Sequence, residues 1–88
     1  MPIISIFYGL IIYMFNEEGS PHNIPHIHVE YSGRTAVVDL KGNILRGELP
    51  GNKRKILEAW MMLHEEELEV CWALILKGEP HIKIEPLR

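Results

Sequence analysis

Between Pro25 and Gly51 the chain meets turn signals at short, regular intervals: Ser32-Gly33, Lys41-Gly42-Asn43 and Pro50-Gly51. This spacing constrains the fold more than any other feature. Parallel strands need a crossover of a dozen or more residues, and no such stretch exists here. The segments between the turns can therefore pair only as an antiparallel meander. From His26 to Tyr31 the pattern alternates, with His26, His28 and Glu30 on one face and Ile27, Val29 and Tyr31 on the other. Period two is the mark of a half-buried strand. Thr35–Leu40 and Ile44–Leu49 are expected to continue the meander.

The N-terminal run to Phe15 is apolar on both faces. It lacks the basic start and small-residue cleavage site of a signal peptide, and it is short of the roughly 20 apolar residues that span a membrane. It is read as core. Ile3–Phe7 and Leu10–Phe15 are rich in β-branched and aromatic residues and are expected strands, with a turn or bulge at Gly9. Asn16–Pro25 reads as a loop. Apolarity on both faces implies cover on both, and a second copy of the chain is the simplest cover, so a homodimer is expected.

The second half changes period. Leu57, Met61, His64, Leu68, Cys71 and Ile75 recur in steps of three and four, a helical stripe. Asn52 is the expected N-cap, and Gly78 and Pro80 end the helix. A single rod over Asn52–Lys77 would be about 39 Å long. A chain of this length folds to a radius of gyration of about 12 Å. A break is therefore expected near His64-Glu65. His81–Leu87 alternates like a short closing strand. The whole chain, residues 1–88, is expected to be one α+β domain: four to five antiparallel strands packed against C-terminal helices.

Composition narrows function only coarsely. The lone Cys71 excludes a disulfide within the chain and suits a reducing, cytoplasmic setting. On the helical stripe it reads as an inert core thiol. A formal net charge of −3 with no basic stripe is no footprint for tight duplex binding. It permits a weak or local RNA contact and, equally, a partner with a basic face. Glu65, Glu66, Glu67 and Glu69 read as a solvated acidic face.

Three of the five histidines fall in H-N-I-P-H-I-H, from His22 to His28. Residues two apart on a strand lie roughly 6.6 Å apart on one face. His26 and His28 can thus converge on one metal ion, with His22 swinging in from the loop, or work as acid and base. Pro25 stiffens the approach. Glu30, about 13 Å from His26, can join His28 but hardly His26. Lys53 and Arg54 at the helix start are candidate phosphate contacts. Asp39 can orient a histidine or simply shape its turn. Against all of these stands the plainer reading, the polar face of an amphipathic strand. The residues name no cofactor.

The residues also resemble a family. P-x-I-S-x-F-Y-G-x-x-I at Pro2–Ile12, H-N-I-P-H-I-H-V-E-Y at His22–Tyr31 and G-x-x-x-x-G-E-L-P at Gly42–Pro50 are similar to a small prokaryotic family, domain of unknown function 4160. So are E-A-W at Glu58–Trp60, L-x-x-C-W at Leu68–Trp72 and I-E-P-L at Ile84–Leu87. The resemblance implies no reaction. It implies a neighbour-encoded partner protein, because members look like components of toxin–antitoxin-like pairs. His22, Pro25, His26 and His28 match the family's D-H-N-P-P-H-x-H pattern. Pro21 and Ile24 depart from it, and the lost acid weakens a His–Asp dyad. Three functions follow as expectations: a protein-binding component of such a pair, a His-dependent ribonuclease-like enzyme, or a metal-binding protein.

Overall fold

The computed structural model describes residues 3–15, 24–80 and 82–87. Five strands precede two helices: β1 (Ile3–Phe7), β2 (Leu10–Tyr13), β3 (His26–Tyr31), β4 (Arg34–Asp39), β5 (Ile44–Gly47), α1 (Gly51–Leu63) and α2 (Glu65–Leu76). The strands form one antiparallel sheet in the order β1-β2-β3-β4-β5, the expected meander. Two-residue turns join β1 to β2 and β3 to β4. Tyr8-Gly9 and Ser32-Gly33 both hold positive φ at both positions, the twist-matched hairpin geometry.

Register assigns the two faces. Ile12, Val29 and Ala36 lie in one cross-strand row and are buried beneath the helices, as are Leu10, Ile27 and Val38. The other face carries Tyr13, His28, Val37 and Arg46 in one row and Ile6, Ile11, Glu30 and Thr35 in the next. Strict alternation does not hold in β1. Ile3 pairs with Tyr13 and Ser5 with Ile12, so Ile4 is an inserted residue. Ile4, Ser5 and Phe7 are all buried, whereas Ile3 and Ile6 share the outer face. A run apolar on both sides has no pattern that marks such a bulge. Gly47 closes the β4–β5 pairing at φ +78°, where a β-carbon would run into the Thr35 carbonyl oxygen. Only glycine tolerates both demands.

Of the helical stripe, Leu57, Met61, Leu68 and Cys71 are buried, while His64 and Ile75 at its break and its end are half-buried; Trp60 and Trp72 beside the stripe are buried with it. The break falls at His64, which leaves helical geometry at φ −119°, ψ 26°. Its nitrogen still donates to Trp60 O and its carbonyl accepts from Leu68 N, so one residue turns the chain without stranding backbone groups. The radius of gyration is 12.0 Å.

Two expectations about elements need correction. The N-cap is Pro50, not Asn52: Pro50 is extended and its carbonyl accepts the first helical bond from Arg54 N. Proline's fixed φ suits the entry, and the helix starts two residues earlier than a side-chain cap would place it. Residues 82–87 form no strand, and His81 lies outside the described residues. The segment is pinned instead by single bonds. Ile84 N donates to Ile4 O, Trp60 Nε1 to Glu85 O and Cys71 Sγ to Ile82 O. One backbone bond to β1 and two helix side chains, rather than a ladder, hold it in place. Burial pushes the Cys71 thiol up from its ordinary pKa and keeps it protonated, as a core cysteine should be.

Candidate functional site

The P-H-x-H segment enters the sheet at the first residue of β3. His26 and His28 alternate with Ile27 and Val29 as read from the sequence, but they are not substantially exposed. His26 is only 7% exposed and His28 is half-buried. Alternation identifies faces; it does not say what covers them. At the start of β3 the cover comes from Trp72 of α2, whose ring centroid lies 5.1 Å from that of His26. His26 meets His28 edge-on at 5.2 Å, and His28 stacks on Phe15 at 4.2 Å. Four rings thus run in a row from the outer face of the sheet to the helical layer.

His26 Nδ1 lies 2.7 Å from Ile24 O. A carbonyl only accepts, so Nδ1 carries the proton, and Nε2 holds the lone pair in the neutral ring. That arrangement is the one a general base or a metal ligand needs. It is equally the one a packed, satisfied histidine adopts. Glu30 accepts a 3.0 Å bond from the Tyr13 hydroxyl. The bond to the carboxylate raises the Tyr13 pKa, with burial and the Glu30 charge adding to it. Glu30 is thus tied to β2.

Other candidates lie elsewhere. Lys53 Nζ donates to Tyr8 O at 2.9 Å and sits 5.3 Å from the centre of the Tyr31 ring, a cation–π distance. Arg54 pairs with Glu58. Tyr31 ends β3 and His26 begins it, so these cations stand at the opposite end of the strand from His26. Asp39 lies opposite His26 in register but spends its carboxylate on its own turn, accepting from Lys41 N, Asn43 N and Asn43 Nδ2. His22 lies outside the described residues, and among the described residues no three metal-ligating side chains gather.

The structure adds a feature that single motifs did not reveal. Beside His26, a groove of about 510 Å³ opens between α2 and the ends of β3 and β4. Its apolar walls are Ile24, Pro25, Leu40 and Trp72; Asp39, Glu65, Glu69 and Lys41 bring charge to it. The signal was present in the spacing of Glu65, Glu69 and Trp72, which places all three on one helix face.

The family model described as domain of unknown function (DUF4160) matches residues 9–73, from the first turn through most of α2. No curated protein and no solved structure matches the chain. The match takes in the P-H-x-H strand, the strands β2, β4 and β5 beside it and most of the helix that covers His26, and the chain belongs to the DUF4160 family.

Proposed function

We propose that this protein is a protein-binding component of a toxin–antitoxin-like pair, acting in the cytoplasm as a homodimer that captures a neighbour-encoded protein. One observation carries the reading. The sheet face away from the helices leaves Ile3 37% and Ile6 56% exposed, beside half-buried Ile11, Tyr13 and Phe15. Apolar side chains gathered on one face of a small domain favour a macromolecular surface over a small-molecule cleft. The family resemblance supports the kind of partner. Co-expression of the untagged neighbour-encoded protein with the tagged chain tests the reading. Co-elution at a fixed ratio is expected; a chain that never retains the neighbour would overturn it.

A second reading, His-dependent nucleic-acid processing, is favoured by the His26–His28 contact and the lone pair at His26 Nε2. The separation of Lys53 and Arg54 from that pair counts against it. RNA cleavage lost in His26→Ala and retained in Lys53→Ala would bring it forward.

A further inference from the structure

The groove beside His26 has a charge imbalance that folding does not explain. Glu65 and Glu69 are four residues apart on α2, a spacing at which like charges repel and weaken a helix. Glu65 gains from its place in the first turn, where the helix dipole favours a carboxylate. Glu69 lies beyond that turn. Among the described residues neither has a side-chain partner, whereas Glu58 pairs with Arg54 and Glu67 bonds to His64 Nδ1. Asp39 adds a third carboxylate, held ionised by its turn, and Lys41 supplies one ammonium against the three. The walls between these charges are apolar. Ile24 is 46% exposed beside Pro25, and Trp72 is held in position by its contact with His26.

From this juxtaposition we infer that the groove between α2 and the β3–β4 end receives an arginine-bearing segment of a protein partner. The chemistry selects the occupant. An arginine lays an apolar stem on Ile24 and Pro25, over the one edge of Trp72 that the 8% exposed ring leaves open, while its planar fork pairs with carboxylates at the rim. A volume of about 510 Å³ holds one or two side chains rather than a folded surface. Phosphate-rich partners are disfavoured by the three carboxylates. The inference rests on the partner-binding reading, and it names where the partner docks and with what chemistry.

The test uses the full chain and the peptide acetyl-Gly-Arg-Leu-Arg-Gly-amide, followed by the two indole N–H signals in ¹⁵N-resolved NMR. Trp60 is wholly buried in the core and serves as the internal reference. Saturable movement of the Trp72 signal is expected, with Trp60 unmoved. Glu65→Gln with Glu69→Gln should weaken binding about tenfold at low salt, because rim charges steer and hold such a ligand. Both positions are exposed, so the double variant should keep the parent's circular dichroism spectrum. Glu66→Gln, outside the groove, should bind like the parent, and a peptide with Glu in place of Arg should not bind. No movement at Trp72, or unchanged affinity in the double variant, would overturn the inference. So would concentration-dependent movement of the same signal without peptide, which would assign the groove to a second copy. Co-expression with the neighbour-encoded protein separates the two readings. Capture by the parent and equally by the double variant sinks the groove and leaves the partner reading standing. Peptide binding without capture does the reverse.

Discussion

At the first residue of β3, His26 is held by a 2.7 Å bond to Ile24 O and by a ring contact with Trp72. Both tie the preceding loop to the helical layer. Truncation removes the ring from between Trp72 and His28 and leaves the Ile24 carbonyl without its donor. His26→Ala is therefore expected to cost about 1–3 kcal/mol, more than His28→Ala, whose ring is only half-buried. Urea denaturation of the two variants decides. An equal or smaller loss for His26→Ala would mean that its contacts contribute little and that its ring is free for chemistry. Sequence alternation puts both rings on the polar face of the strand. It could not show that Trp72 reaches the start of the strand, since that contact joins residues far apart in the chain. Cys71 was legible because its position on the stripe and its burial are the same fact. Lys53 was legible as a surface cation, but its contacts with Tyr8 and Tyr31 depend on where the helix crosses the sheet.

Among the elements, the turn after β4 is organised by one carboxylate. Asp39 accepts from two backbone nitrogens and from the Asn43 amide, while its own backbone bonds to Asn43 O and Gly42 N. Burial pushes its carboxyl up, but the bonds from Asn43 and Lys41 outweigh this and hold it below the ordinary carboxylate value. A folded-state pKa below the unfolded value of about 3.9 makes the ionised form the stabilising one. Its contribution is complete above that value and is lost as pH falls through the lower, folded one. Asp39→Asn keeps an acceptor and loses the charge. The gap in Tm between parent and variant should be constant at neutral pH and narrow below about pH 4, as read by thermal melts from pH 7 to pH 2. A gap independent of pH would show that the charge contributes nothing. The meander itself was legible because tight turns forbid any other pairing. Its details were not: the Ile4 bulge hides in a run apolar on both faces, and Tyr8 and Ser32 adopt positive φ although neither is glycine. Pro50 took the helix start from Asn52 because backbone geometry, not a capping side chain, sets that end.

For the whole molecule, two helices cover one face of a five-stranded sheet, and the outer face changes character across its width. Arg46, Thr35 and Glu30 make the β3–β5 side polar; Ile3, Ile6 and Ile11 make the β1–β2 side apolar. A two-fold axis over the N-terminal hairpin would set the apolar half against itself and leave the polar half in water, as self-complementary interfaces require. Ile12 cannot probe this contact, because it lies under the helices and is fully buried. Ile6 can. It is more than half exposed, and a charge there has no core to disturb. At micromolar concentration the parent is expected to sediment at twice the 10.2 kDa chain mass, and Ile6→Glu at the chain mass, with both melting cooperatively. A strictly monomeric parent would leave Ile3 and Ile6 to the captured partner alone. Ile6→Glu would then reduce capture of the neighbour-encoded protein without changing the mass of the free chain. The two outcomes separate a face that joins copies of this protein from one that receives another.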